Sequence, residues 1–365
     1  MNQPLHLLIV TQKADSSDPI LGFFHRWLQA FASSTERLTV LAQYVGAAPL
    51  PANTRVFSLG KEKGRPVWRQ ILAFWCLIWR ERNRYDCVLV HMTPVWVILG
   101  WPVWFLLRKR VYLWYEIRRG SFRLSLALLL VRKVFSATVL GLPRKYRKQV
   151  VTGHGIDTDF FLPLIRLSTA LEAPSPTPLR QGFGGQAGRG GQREAGLIVS
   201  VGRITRSKRY DVILRAFAGL PKTSRLVLAG GIVTQADEGE WERVQALMMQ
   251  LGIIGRVTVH WVDPTEMPGF LRQADLMLHA CIGGLDKAVL EAMACGCPVV
   301  SSSGAAKEVL PANCRATDET MGTVAQKILS LSPPERAALS EEVRKRVVED
   351  HSLAQLIERL VREME

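Results

Sequence analysis

The feature that most constrains this chain is a rhythm. Short apolar runs recur along it, each followed by a stretch with helical spacing. In the first half the runs at 7–10, 38–42, 56–58, 87–90, 111–114 and 138–141 read as strands. The stretches 22–32, 67–82, 95–107 and 122–134 read as helices. Strands alternating with helices imply a parallel sheet with crossover helices. The rhythm stops at 167–195, where APSPTPLRQGFGGQAGRGGQ replaces apolar periodicity with Gly, Pro, Gln and Arg. This segment reads as a flexible linker or insertion. It does not read as a glycine-rich phosphate loop, which needs a strand leading in and a helix N-terminus following. The rhythm then resumes with strands at 196–201, 225–229, 257–260, 276–279 and 298–301. Helices are expected at 210–218, 240–251, 267–273 and 287–294, then 319–331 and one long helix over 335–365.

The expected organisation is an N-terminal α/β domain at 1–160, the linker at 167–195 and a C-terminal α/β domain at 196–345. The last segment, 346–365, is expected to be a helix that crosses back to the first domain. Open parallel sheets bind ligands beyond the carboxyl ends of their strands.

Charge narrows the partners. The net charge is +15, and residues 1–160 hold 23 Lys/Arg against 9 Asp/Glu. Such a surface attracts phosphates. The basic clusters 80–84, 108–110 and 144–148 alternate with apolar stretches, and all but two of the ten tryptophans precede residue 120. That mixture suits an anionic membrane surface. Nucleic acid is excluded as a partner, because no nucleic-acid-binding motif accompanies the charge. The apolar stretch 88–107 approaches the length of a membrane span, but Pro94, Gly100 and Pro102 interrupt it. It reads as strand, loop and helix. The N-terminus MNQPLHLLIVTQK lacks the basic region, apolar stretch and cleavage site of a signal peptide,. Six scattered cysteines without a C-x-x-C pair read as free thiols,. The expected location is the cytoplasm, peripheral on the inner face of the cell membrane.

Two stretches carry candidate chemistry. In Val201-Gly202-Arg203-Ile204-Thr205-Arg206-Ser207-Lys208 a strand ends and a helix is about to begin. Gly202 lets backbone approach a ligand, and Arg203 and Lys208 can converge on one diphosphate. A plain basic surface loop fits the same residues equally well. In the second stretch, Gly283 and Gly284 precede Leu285, Asp286 and Lys287, and Glu291 falls one turn into the next helix. Amides at that helix start favour a phosphate. An ionised Glu291 among Leu290, Ala292, Met293 and Ala294 needs a partner.

The strings VGRITRSKRYDVILRAF (201–217), DKAVLEAMACGCPVVSS (286–302) and VTGHGIDTDFF (151–161) resemble the family 4 retaining glycosyltransferases. The third resembles that family's Asn-Gly-Val-Asp-x-x-x-Phe turn, with His154 in the Asn position and Phe161 closing it. The resemblance implies the GT-B fold, two Rossmann-like α/β domains facing each other across a cleft. It implies transfer of a sugar from a UDP-, GDP- or ADP-sugar to a glycan or lipid-linked acceptor, with retention and with neither cofactor nor metal. By resemblance, Arg203 and Lys208 bind the diphosphate and act catalytically, and Glu291 holds the ribose. Gly202, Gly284, Leu285, Asp286 and Lys287 line the donor, and Trp261 and Val262 flank its base. Gly22, His25 and His91 fall on the acceptor side.

Two positions depart from the family pattern. Its E-x7-E motif places a Glu where this chain has Gly283. After the strand at 111–114 the chain reads Tyr115-Glu116-Ile117-Arg118, where many members carry a His. Two alternatives stay open: a catalytically inactive binding protein, which these departures motivate, and a sugar-nucleotide epimerase, which can share the two-domain architecture.

Overall fold

The computed structural model describes residues 5–18, 20–163, 196–232 and 234–365, so the expected insertion at 167–195 lies outside the described residues. The chain divides into two compact units. One comprises the described residues of Met1–Asp157 together with Asp350–Glu365, the other those of Thr158–Glu349.

Unit 1 runs β1 (His6–Ala14), α1 (Phe23–Ser34), β2 (Arg37–Val45), β3 (Thr54–Ser58), α2 (Val67–Arg80), β4 (Cys87–His91) and α3 (Pro94–Leu106). It continues with β5 (Arg110–Trp114), α4 (Phe122–Leu130), β6 (Lys133–Ser136) and β7 (Gln149–Val151). Unit 2 runs β8 (Leu197–Val201), α5 (Tyr210–Ala218), β9 (Arg225–Ala229), α6 (Gln235–Gln250), β10 (Val257–His260), α7 (Met267–Gln273) and β11 (Leu276–His279). Then follow α8 (Lys287–Ala294), β12 (Val299–Ser301), α9 (Met321–Leu329) and α10 (Pro333–Asp350). The last helix, α11 (Leu353–Met364), belongs to unit 1 and packs on α1.

Both sheets are parallel. Their orders are β3-β2-β1-β4-β5-β6-β7 and β10-β9-β8-β11-β12. In each sheet the chain starts near the middle, builds outward, then returns to build the other way. The order reverses between β1 and β4 in unit 1, and between β8 and β11 in unit 2. Loops diverge at such a point and leave a crevice at the carboxyl ends of the strands.

Strand side chains alternate between faces. In unit 1, Leu8, Val10, Val88, Val90, Val111 and Leu113 form one core with Phe74 of α2, Trp96 and Trp104 of α3, and Leu124 of α4. Each fully buried aliphatic side chain contributes roughly 1.5–3 kcal/mol. Helix α1 covers the opposite face with Phe24, Trp27, Leu28 and Phe31.

Three expectations need correction. The sixth strand is Lys133–Ser136, and the expected strand at 138–141 contains a 3-10 turn. The apolar run continues past the end of α4, which hides the boundary. The helix ends because Val131 turns extended and the Lys148 ammonium takes the carbonyls of Leu128, Leu129 and Val131. Strand β7 went unforeseen. The expected single helix at 335–365 breaks at His351 and Ser352, where the Ser352 hydroxyl caps α11 by accepting from the Gln355 amide. That break is tied to unit 1 by Ile156, whose N–H donates to His351 O at 2.7 Å and whose carbonyl accepts from Leu353 N at 2.7 Å. The stretch 88–107 resolves into β4 and α3. Among the described residues no helix is long and apolar enough to cross a membrane.

The turn that receives α11 depends on glycine. Gly155 has φ 76°, and a Cβ there would lie 2.4 Å from Leu356 Cδ2 and 2.9 Å from Trp27 Cζ2. Gly155→Ala should destabilise unit 1 by roughly 1–3 kcal/mol. Urea unfolding followed by tryptophan fluorescence checks this, and an unchanged midpoint would remove the claim.

Candidate functional site

The crevice of unit 2 gathers residues from loops that are far apart in sequence. β8 ends at Val201, and Gly202 turns away with φ 141°. A Cβ on Gly202 would meet Lys208 Cε at 2.4 Å, so the glycine makes room for the lysine stem. Tyr210, at the start of α5 and fully buried, donates its hydroxyl to Gly202 O at 2.8 Å. Arg209 takes a left-handed conformation and pairs with Asp318 at 2.7 Å. The loop after β11 is tied to this one, because Ile282 N donates to Ser207 O at 2.8 Å.

Lys208 reaches across the point where strand order reverses and pairs with Asp286. Asp286 is the N-cap of α8, and its other oxygen accepts from Ala288 N at 3.3 Å. His279, the last residue of β11, places Nε2 3.4 Å from the same carboxylate, while its Nδ1 meets Ser301 Oγ at 2.8 Å. Burial alone would lower the Lys208 pKa, but the Asp286 carboxylate more than offsets it, and the net shift is upward. Burial pushes Asp286 the other way, yet Lys208 and then His279 hold it well below the usual carboxylate range. Both groups are therefore charged across the neutral range.

His279, Cys281 and Asp286 offer ligand atoms within 4.8 Å of one another. The charge beside that carboxylate is already supplied by Lys208. Burial pushes the Cys281 thiol up to about 11, so it is not a thiolate at neutral pH,.

The remaining donor-side expectations fall as follows. Arg203 is exposed, and its guanidinium has no hydrogen-bond or ion-pair partner among the described residues. Glu291 is 8% exposed and pairs with Lys287, one turn earlier, at 2.6 Å. That pair gives the carboxylate inside this apolar helix its counter-charge. Gly284 is half-buried and Leu285 buried. Trp261 is 52% exposed just beyond β10, and Val262 is buried. Gly231, whose carbonyl accepts from Ile204 N at 3.1 Å, links that end of the sheet to the Gly202 loop.

The residues expected on the acceptor side fall at the start of α1 and at the end of β4. Gly22 precedes α1, and a Cβ there would lie 2.5 Å from Asp18 O, so the residue serves a close backbone approach. His25 is buried, which lowers its pKa. His91 ends β4 but points into the core. It stacks on Phe24 at 3.9 Å and lies 5.5 Å from Trp114 and 5.8 Å from Trp27. Burial, and secondarily His154, lowers its pKa to about 3. It is a neutral core histidine. Glu116, near the place where the family carries its histidine, is also buried. It accepts from Ala137 N at 2.6 Å and from the Thr138 hydroxyl at 3.3 Å.

Sequence reasoning passed over Tyr210 and His279. The signal for His279 was its place at the end of an apolar strand. The signal for Tyr210 was its place at a helix start beside a basic loop.

Residues 190–315 match the family described as "Glycosyl transferases group 1", so unit 2 carries a domain of that group. A D-inositol 3-phosphate glycosyltransferase from Xylanimonas cellulosilytica is 32% identical over 153 residues, which cover 41% of this chain and 33% of that protein. The match thus takes in about a third of that relative's length. HepE from Anabaena, solved with UDP-glucose, superposes with a TM-score of 0.74 at 16% identity over 98% of this chain and 99% of that one. A glycosyltransferase from Rickettsia africae superposes with a TM-score of 0.72 at 14% identity, over 99% and 98%. The fold is therefore that of the GT-B glycosyltransferases.

The ion pair predicts a pH dependence. The folded pKa of Asp286 is depressed, so its stabilisation is present above its ordinary value of 3.8 and is lost as pH falls through and below it,. Breaking a fully buried pair costs about 3–5 kcal/mol. With 18% and 16% of these side chains exposed, Asp286→Asn should cost about 2 kcal/mol at neutral pH,. The gap from wild type should narrow as pH drops below 3.8. Urea titrations by far-UV circular dichroism at several pH values check this. A pH-independent gap would contradict it.

Proposed function

We propose that the chain is a family 4 glycosyltransferase that moves a sugar from a UDP-, GDP- or ADP-sugar to a glycan or lipid-linked acceptor with retention of configuration. It works at the inner face of the cell membrane and needs no cofactor or metal. The observation that carries this reading is the Lys208 ammonium beside the N-terminus of α8, at the strand-order reversal of unit 2. A departing nucleoside diphosphate gains negative charge as the glycosidic bond breaks. A positioned ammonium, the exposed Arg203 guanidinium and helix-start amides stabilise that charge with little reorganisation. Glu291 accepts from the ribose hydroxyls, with Lys287 holding its charge. Gly284 and Leu285 border the sugar, and exposed Trp261 stacks near the base, beside Val262. On the acceptor side, Gly22 opens α1 in the loop after β1, and His25 falls in the first turn of that helix. Support also comes from the matched group 1 domain and from HepE, solved with UDP and with UDP-glucose.

One pair of observations favours a second reading, donor binding without turnover. Asp286 already neutralises Lys208, and Gly283 faces open space where the family motif has a carboxylate.

Thermal-shift screening against UDP-, GDP- and ADP-sugars should find one nucleotide that raises the melting temperature. Donor cleavage is then measured on wild type and variants. Lys208→Ala and Arg203→Ala should each lower turnover by roughly 100- to 1000-fold, about 3–4 kcal/mol of barrier, with unchanged circular dichroism. Wild-type turnover in both variants would sink the transferase reading. A shift with no cleavage by wild type would select the second.

A further inference from the structure

Helices α2, α3 and α4 lie side by side on one face of the seven-stranded sheet, and each has a second apolar side that the sheet does not cover. On α2, Trp68, Leu72, Trp75 and Trp79 follow i, i+4, i+7, i+11 spacing and are 57%, 53%, 40% and 47% exposed. The inward side of the same helix is Phe74, Leu77 and Ile78. On α3, Phe105 and Leu106 project outward after Trp104 has entered the core, and on α4 Phe122 and Leu129 do the same. The Trp75 indole N–H reaches Leu99 O of α3 at 2.8 Å, which joins the first two helices into one surface. Helix α3 carries no charged or hydrogen-bonding side chain other than its tryptophans, and a helix apolar on every side is usually buried in a core or a membrane,. No helix among the described residues can cross one. Exposed apolar side chains clustered on neighbouring helices mark an interaction surface,.

Charge identifies what. Residues 61–148 carry 19 Lys/Arg and 4 Asp/Glu. Of the four acids, Glu81 and Glu116 are buried. Glu81 is held among Arg55, Arg80 and Arg84. Arg69 lies over the Trp68 ring and Arg82 over the Trp79 ring, each 5.0 Å from the centroid. Exposed indoles under guanidinium groups, with further arginines at the helix ends, complement a layer that is apolar inside and anionic at its surface.

We propose that this face of unit 1 docks the protein on an anionic lipid bilayer. Trp68, Trp79 and Phe122 enter the boundary between headgroups and acyl chains, and the surrounding arginines meet lipid phosphates. The proposal rests on the membrane-surface part of the reading above and gives it a location.

The test uses the full chain and two kinds of vesicle, phosphatidylcholine alone and phosphatidylcholine with an equal part of phosphatidylglycerol. Co-sedimentation with the anionic vesicles is expected at low salt, with weakening as salt screens the charges. The double variant Trp68→Ser, Trp79→Ser should bind roughly tenfold more weakly. Arg80→Ser with Arg82→Ser should lose about tenfold or more on anionic vesicles. Met249→Ser, an exposed site on α6 of unit 2, serves as control and should bind as wild type. Thermal melts of every variant establish that it is folded. No binding to anionic vesicles at low salt would overturn the proposal, as would wild-type binding by the tryptophan variant. So would a dimer that the tryptophan variant dissociates in the absence of vesicle binding, since a second copy would then be the occupant. Donor-induced thermal shifts run in parallel separate the two readings: vesicle binding without any donor shift removes the transferase reading and leaves this surface standing.

Discussion

An ammonium with little access to water needs a fixed counter-charge, and the carboxyl end of the unit 2 sheet is arranged to supply one to Lys208. Gly202 gives the lysine stem its space, and Tyr210 pins the Gly202 carbonyl. The strand reversal brings the β8 and β11 loops together, and Asp286 completes the pair while capping α8. One carboxylate thus serves a helix amide and an ammonium at once. It stands where a helix N-terminus otherwise attracts an anion from solution. On the reading proposed above, a diphosphate entering this crevice must share or replace an anion the protein already provides. The ion pair that stabilises the empty unit then also sets the cost of donor entry.

Unit 1 uses the same strand order to a different end. Where β1 and β4 diverge, the space is filled by rings: His91 stacks on Phe24 with Trp27 and Trp114 close by. Burial keeps that histidine neutral. Glu116 likewise spends its oxygens on the Ala137 amide and the Thr138 hydroxyl. Equal topology therefore yields a charged crevice in one unit and an aromatic plug in the other. The residues at the strand ends decide between them, and topology alone does not assign function to a position.

The strands were legible because parallel strands buried on both faces read as continuous apolar runs, and β1, β4, β8 and β11 all do. The same signal failed at α4, where only Val131, Arg132 and Lys133 separate the apolar helix from the apolar residues of β6, and tertiary hydrogen bonds from Lys148 close the last helical turn. The break before α11 was legible in principle, since Ser352 and Gln355 have the spacing of a helix start. The mutual placement of Gly202 and Lys208 could be read locally. The Lys208–Asp286 pair could not, since 78 residues separate its members and only the sheet order brings them together. His91 is a related case: the end of a strand marks the crevice, but whether a side chain faces it depends on the helix packed alongside, here α1 with Phe24 and Trp27.

Helix α2 shows the limit of periodicity most clearly. Its sequence holds two apolar sides, one with Phe74, Leu77 and Ile78 and one with Trp68, Leu72, Trp75 and Trp79, and helical spacing is satisfied by both. Only the position of the sheet shows which is inward. Phe74 meets Trp96 at 4.7 Å and Trp104 at 5.8 Å, so the core is filled without the second side. The outer tryptophans stand outside that core, and their water-exposed faces favour association,. The net charge of the region supplies the complementary constraint, repelling other copies of the chain while attracting an anionic layer. Aromatic exposure and positive charge on one helical face are therefore two parts of one physical arrangement, suited to a surface both apolar and negative.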